Sequence, residues 1–460
     1  MKRIISTACT LSALLAAGTY VDISVGFADV SPPPKIANKL FALKLNEAIE
    51  IGFKTNPEYA SALHAELASQ EALKQAHSLY KPSIDLNGDT GYEQTEDVGT
   101  RARNIEGNET LYRYETGLTV TQRVFDGFEA ISEIDRGYYE ALSAQHSLNQ
   151  AAQDVALKIT NAYLDVIQQR KLLQIAKENI NSHLDILKQI RDNVEAGRST
   201  EADEEQAKAR LSRAKAQQAQ ITASLQAAEA AFAQEVGMQP PQLATFAPPK
   251  REILATVEAE IETALISSPY LKSFEAESKA ADAAIESAES AYYPDVNLQL
   301  NARQGQNLGG VTGKDSSASA LFVMNWNLYR GGADIARARE ISYLAQQTKD
   351  QLLDAQRETE QQIRETWANL IAAQEQIAAY KQQIASNKKV VGAYRDQFNL
   401  KRRTLLDVLN AQSELFASRQ SALNAEFQEQ TAIYRLLALK GMLLTALSIN
   451  FEQDTFAEKQ

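Results

Sequence analysis

Cysteine is all but missing. The sole thiol, Cys9, lies near the start of the chain, so no intramolecular disulfide can form. A chain that dispenses with thiols suits an oxidising compartment without depending on crosslinks. Histidine is scarce too. His64, His77, His146 and His183 are never followed by a second histidine four residues on, and none ends a Glu-x-x-His motif, so helical metal-site spacings are lacking. Also absent are a phosphate-binding glycine loop, G-x-S-x-G and C-x-x-C. The helical histidines read as ordinary polar positions, with His183 directed at solvent or a neighbouring element. These gaps argue against an enzyme, a metal centre or a cofactor. With 47 Lys+Arg against 59 Asp+Glu, the formal charge is −12 and no basic stripe exists. Nothing is then available to displace phosphate counterions, which argues against nucleic acid as a partner. Mean hydropathy of −0.35 excludes a polytopic helical membrane protein.

The apolar run that does occur opens the chain. Lys2 and Arg3 precede an apolar stretch from Ile4 to Ala17, and Gly26-Phe27-Ala28 offers a small-residue cleavage site. Residues 1–28 therefore read as a secretory signal, followed by an N-terminal extension over 29–42. The alternative is a membrane anchor, for which the run is shorter than the roughly 20 residues needed to span.

Proline is confined as well. None lies between Pro82 and Pro240 and none follows Pro294. The doublets Pro240-Pro241 and Pro248-Pro249 mark a linker at 239–258 between two copies of one unit, 43–238 and 259–442, with a tail at 443–460. Asn56-Pro57 returns as Ser268-Pro269, displaced by 212 (269 − 57), as does Tyr80-Lys81-Pro82 in Tyr292-Tyr293-Pro294. Beyond an eight-residue slip the displacement is 204 (331 − 127): Phe125-Asp126-Gly127 pairs with Tyr329-Arg330-Gly331, Tyr163 with Trp367, Asp203 with Asp407, and Gly237 with Gly441. A duplicated unit seldom buries its own surface alone, so repetition points to architecture before chemistry.

Each copy contains a long stretch with apolar residues at alternating spacings of three and four. In copy one these include Ala141, Leu148, Ala152, Val155, Ile159 and Val166, and then Ala176, Ile180, Leu187 and Ile190. Copy two repeats the register through Ile363, Leu370, Ala373, Ile377, Ile384 and Val391. A seam this long predicts coiled-coil helices over 129–195 and 332–399. Each would be on the order of 100 Å long at ~1.5 Å per residue. Short turns lead to return helices over 200–236 and 404–441.

At the other end of each hairpin the period changes to two. Hairpins at about 83–125 and 295–329 carry alternating runs of about ten residues, joined by Gly/Asp/Ser/Asn-rich connections over 88–107 and 305–317. Tyr112, Tyr114, Phe322 and Trp326 fall on these runs and read as lipid-facing or interfacial aromatics. The strands alone also suit a soluble sandwich or a cap on a coiled coil. If they span a membrane, four strands cannot close a barrel and the chain must oligomerise, because unpaired edge amides in lipid cost several kcal/mol each. A periplasmic coiled-coil adaptor or scaffold is the competing class. It would carry one helical hairpin within β-rich domains, not two opposed to strands.

The chain resembles the TolC family of outer-membrane channel components. The resemblance is carried by Q-F-N-L-K-R-R-T-L-L-D-V-L-N-A-Q at Gln397–Gln412, by Tyr163-Leu164-Asp165 with its repeat Trp367-Ala368-Asn369, and by Val124–Gly127 with Leu328–Gly331. It implies a mainly α fold with a small β part. Duplicated helical hairpins would form a periplasmic α-barrel, and four transmembrane strands per protomer would complete a twelve-stranded barrel in a homotrimer. It further implies an exit duct in the outer membrane of a Gram-negative bacterium, bedded in lipid and extending into the periplasm. Its partners would be a periplasmic adaptor (membrane fusion protein) and an inner-membrane transporter of ABC or RND type. The TLLDVLNAQ segment looks more like members serving type I protein secretion, with multidrug efflux the alternative.

The resemblance also places an aperture. Arg403 would bond Asp203, Asp407 would line the constriction, Asn410 stands where a second aspartate is usual, and Phe398 replaces a tyrosine of the network. Gly197, Arg198, Ser199, Lys401 and Arg402 would form the adaptor-contacting tips. An ordinary solvated charge is the other reading of Arg403.

Overall fold

The computed structural model describes residues 42–103, 109–400 and 402–449, so the signal reading, most of the N-terminal extension and Lys401 lie outside the described residues. Helices α1 (Leu45–Thr55) and α2 (Pro57–His77) lead into β1 (Ser83–Thr95), short α3 (Val98–Arg103) and β2 (Glu109–Phe125). Helix α4 (Glu129–Glu195) and its return α5 (Glu201–Val236) complete the first copy. The second repeats the order with α6 (Val257–Ser267), α7 (Pro269–Glu289), β3 (Asp295–Gln306), β4 (Lys314–Asn325), α8 (Ala333–Asn399) and α9 (Leu405–Leu439), before a final turn α10 (Leu443–Ala446). The two displacements reappear in the structure. Helices α1 and α2 are each followed at 212 residues (257 − 45, 269 − 57) by their copies, and α4 and α8 are both 67 residues long, 204 apart (333 − 129).

The long helices begin at a left-handed bend that the strand-to-helix glycines supply. Gly127 (φ 66°) and Phe128 (φ 71°) turn the chain into α4, and Gly331 (φ 67°) and Gly332 (φ 87°) turn it into α8. A side chain at Gly127 would meet the Ser290 carbonyl and Tyr293 Cβ, each at 2.7 Å, so only glycine fits that conformation there. Asp126 accepts from the Ala130 amide at 2.8 Å and pairs with Arg123 at 3.1 Å, which caps the start of α4.

Two apolar clusters hold the helices together. The larger gathers α1, α4, α5, α6, α8, α9 and α10 around Tyr163, Phe232, Ile159, Tyr434 and Leu436. The hydroxyl of Tyr163 lies 2.7 Å from the carbonyls of both Leu43 and Ala244 and so ties the linker to the N-terminal segment. Burial pushes that hydroxyl's pKa up to about 12. The smaller cluster sits towards the turns, where Ile186, Leu187 and Ile190 of α4 meet Leu211 of α5 and Leu405, Val408 and Leu409 of α9.

Of the two settings open to His183, solvent or a neighbouring element, the structure has the second. It is 3% exposed beside α5, where burial and the nearby Arg210 guanidinium push its pKa down. The polar break in the apolar register is thus a buried imidazole, which heptad spacing does not separate from a surface residue. The copies also differ in burial. Seam residues of α4 are largely enclosed by α2, α5, α7 and α9, whereas Ile335, Leu344 and Leu353 on α8 remain exposed in the single chain.

Candidate channel wall and helical tips

The four strands form one antiparallel sheet in the order β1-β2-β3-β4, so the hairpins of the two copies join through β2 and β3. The strands have 13, 17, 12 and 12 residues, longer than the alternation suggested. Residues 88–95 and 314–317, which read as connections, are strand. Of their turn-like residues, Asp89, Gly91, Asp315 and Ser317 lie on one polar side of this sheet.

The register shows how. Ile84 pairs with Val120, Leu86 with Leu118 and Tyr92 with Tyr112. Val120 then pairs with Leu300, Leu118 with Ala302, Leu298 with Phe322 and Val296 with Met324. Side chains alternate across a strand, so these residues share one face through all four strands. Many stand open: Ile84, Leu86, Tyr92, Phe322 and Met324 are each more than 60% exposed. Tyr112 and Tyr114 sit on this face at the loop end, whereas Phe322 and then Trp326, which donates to the Tyr292 carbonyl at 3.2 Å, sit at the helix end. Aromatics at both rims of an apolar band are the pattern of a lipid-facing wall.

The opposite face carries Asp85, Asn87, Asp89, Glu93, Arg113, Glu115, Thr119, Asn297, Gln299, Asn301 and Arg303, with Leu111, Leu321 and Val323 as exceptions. Near the loop end it holds a ladder of ion pairs. Arg113 reaches Asp89 at 2.8 Å and Glu115 at 2.6 Å, and Arg303 reaches Glu115 at 3.3 Å and Asp315 at 3.6 Å. Pairs of this kind stitch all four strands on a side that needs water to solvate it. Among the described residues, no helix is long and apolar enough to cross a membrane.

The turns at the far end of the long helices repeat a common design. Gly197 is left-handed (φ 66°), and the amides of Arg198 and Ser199 donate to the Asn193 carbonyl at 2.6 and 3.2 Å. In copy two the Arg402 amide donates to Gln397 at 2.8 Å. Each return helix then opens on a capping box. Asp203 accepts from the amide and hydroxyl of Thr200 at 3.0 and 2.8 Å, and Asp407 does the same for Thr404 at 3.2 and 2.9 Å. The sequence signal for this local role of both aspartates is the Thr-x-x-Asp spacing.

Arg403 is accordingly not bonded to Asp203 within the chain. It lies over the Tyr394 ring at 4.4 Å, reaches Gln397 at 3.2 Å and approaches Asp407 at 3.7 Å. The Thr404 hydroxyl and amide, and after them the Arg403 guanidinium, hold the Asp407 carboxyl below the usual carboxylate range. Phe398 packs with Tyr394 and Val194 against the smaller apolar cluster, where a phenyl ring belongs. Asn410 accepts from Arg210 of α5 at 3.1 Å, a contact the sequence did not suggest. Gly197, Arg198 and Arg402 stand exposed at the turns, with Ser199 half-buried.

A sheet that is apolar on one side and polar on the other, carried on two long helical hairpins, defines a channel protein of the bacterial outer membrane. The chain belongs to the family described as outer membrane efflux protein, which matches residues 52–238 and 261–442. Its members are channels, not enzymes. It is 26% identical to the outer membrane efflux protein BepC of Brucella suis, over 87% of this chain and 85% of that one. It is 23% identical to the alkaline protease secretion protein AprF of Pseudomonas aeruginosa, over 88% and 85%. A crystal structure of CusC shares the fold, with a TM-score of 0.76 at 17% identity, covering 92% of this chain and 98% of that one.

Proposed function

We propose that three copies of this chain close one twelve-stranded barrel in the outer membrane (three times four strands) and that their helices form a continuous periplasmic tunnel. One observation carries the reading: β1 and β4 are edge strands of a sheet whose apolar face is open. In hydrocarbon an unpaired amide or carbonyl costs several kcal/mol, and two edges of about a dozen residues each cannot be left bare. Pairing β4 of one copy with β1 of the next removes every edge. The exposed apolar residues of α8, Ile335, Leu344 and Leu353, receive neighbours in the same assembly.

The assembly acts as a passive exit duct of a tripartite system. An adaptor grips the tips near Gly197–Ser199 and Arg402, and an ABC or RND transporter in the inner membrane drives the cargo. Of the two cargo classes we take secreted protein, supported by the TLLDVLNAQ segment and by the name of AprF; the name of BepC favours efflux. Arg403, Asp203 and Asp407 form the resting aperture, with Arg403 exchanging its Asp407 contact for Asp203 of an adjoining copy.

Paired cysteines test the closure. One is placed on β1 and one on β4, scanned along the edges in a Cys9→Ser background. The reading expects oxidised three-chain ladders on denaturing gels, whereas crosslinks confined to single chains would refute it. For the cargo, a strain lacking the gene should lose a secreted protein and keep its drug tolerance; the reverse outcome assigns efflux instead.

A further inference from the structure

The connection between β3 and β4 does not extend away from the sheet. Asn307 folds it back: its amide donates to the Gly313 carbonyl at 2.8 Å, and its side-chain oxygen accepts from the Gly313 amide at 3.1 Å, which closes the neck of a compact loop. Four residues in it have positive φ, namely Asn307 (57°), Gly309 (58°), Gly310 (69°) and Gly313 (134°), a sequence of left-handed positions that favours glycine and asparagine.

The loop folds towards the polar face. Gly305 lies on that face, in line with Arg303, and is buried because Leu308 covers it. A Cβ at Gly305 would come within 2.8 Å of Leu308 Cδ1, so the glycine makes the seat. The Gly309 amide donates to Glu93, also on the polar face, at 3.3 Å. Gly310 is buried against Thr95 and Thr100, where a Cβ would stand 3.0 and 2.8 Å from their side-chain carbons. The Asn307 amide group donates to the Tyr112 carbonyl at 2.8 Å. These contacts bridge β1, β2 and β3, all from the polar side or the rim.

We infer that Asn307–Gly313 is an inward-folded strap that narrows the outer mouth of the channel and limits the size of what leaves it. This rests on the barrel reading above, in which the polar face lines the passage. Three straps, one per copy, then form a second size filter at the end of the duct remote from the helical tips. Leu308 sets it by holding the strap down, and exposed Val311 stands on the strap itself.

The experiment uses the full chain in intact cells, with Cys9→Ser and a reporter, Asn301→Cys, on the polar face below the strap. A small charged maleimide and one bearing a long polyethylene glycol are added from outside. With the strap intact, the large reagent should label the reporter about tenfold or more slowly than the small one, since pore diameter decides entry. Replacing residues 307–313 by Asn-Gly keeps Gln306 opposite Lys314 and closes the hairpin with a two-residue turn. That variant should label at similar rates with both reagents. Leu308→Ser, which keeps the loop length, should fall between. Equal large-reagent rates with and without the strap would overturn the filter while leaving the barrel intact. If the small reagent fails to label Asn301→Cys even without the strap, the polar face is not a water-filled passage. The barrel reading and the strap then fall together.

Discussion

Lys440 and Glu260 form an ion pair withdrawn from water, Nζ to Oε2 2.7 Å, with side chains 2% and 0% exposed. Lys440 caps α9 and also donates to the Glu252 carbonyl at 3.0 Å, and Glu260 on α6 accepts from the Leu254 amide at 2.6 Å. The pair therefore fastens the end of the second copy to the linker. Its counterpart in copy one is Val236 (440 − 204), an apolar residue, so this charge is a feature of one half only.

Removing one partner strands the other. Lys440→Met leaves a carboxylate buried without a cation, and the cost should be about 3–5 kcal/mol. The double variant Lys440→Met with Glu260→Gln should recover much of that loss, read as the thermal midpoint of the detergent-solubilised protein. A double variant no more stable than the single one would show that the pair is not what the lysine supports.

Tyr163 makes a pH-dependent contribution. Its folded pKa of about 12 lies above the ordinary tyrosine value, so its stabilisation is complete below about pH 10 and is lost as pH rises towards 12. Tyr163→Phe should flatten the fall in stability over that window. It should also cost about 1–3 kcal/mol at neutral pH, by leaving the Leu43 and Ala244 carbonyls without their shared donor. Urea titrations at pH 8 and pH 11 separate the two effects.

The bends into the long helices should respond unequally. Gly127→Ala places a methyl 2.7 Å from the Ser290 carbonyl, while Gly331→Ala meets nothing within 4 Å and bears only its left-handed φ. The second change should cost about 1–2 kcal/mol and the first distinctly more. Yields of heat-modifiable protein in the outer membrane provide the comparison.

At the tips, capping and gating can be pulled apart. Asp203→Asn retains an acceptor for the Thr200 amide but removes the charge, whereas Asp203→Ala removes both. If Arg403 finds Asp203 on another copy, Asp203→Asn and Arg403→Ala should each raise conductance in planar bilayers without lowering the thermal midpoint. Exposed pairs contribute about 0–1 kcal/mol each, so three of them hold a closed state that partner contacts can overcome. Conductance unchanged in Arg403→Ala with Asp203→Asn would remove the pair from the aperture.

The long helices were legible because a proline-free seam of threes and fours runs through them, and because a second copy repeats it. Strand number was legible from period-two alternation, strand length was not. Gly88, Asp89 and Gly91, with Ser316 and Ser317, look like turn residues, yet they are ladder positions on or beside a polar face, where composition ceases to distinguish strand from loop. For His183 the sequence left solvent and a neighbouring element both open, because a buried polar residue on a helix has the spacing of a surface one. The partners of Arg403 and Asn410 depend on Tyr394 and on Arg210 of another helix, and no single-helix pattern reports such contacts.

The decisive measurement is the mass of the assembly extracted from the outer membrane, by native mass spectrometry in detergent. Three chains of at most 50.7 kDa in one particle is the predicted result. A stable single chain, soluble without detergent, would contradict the account at its root.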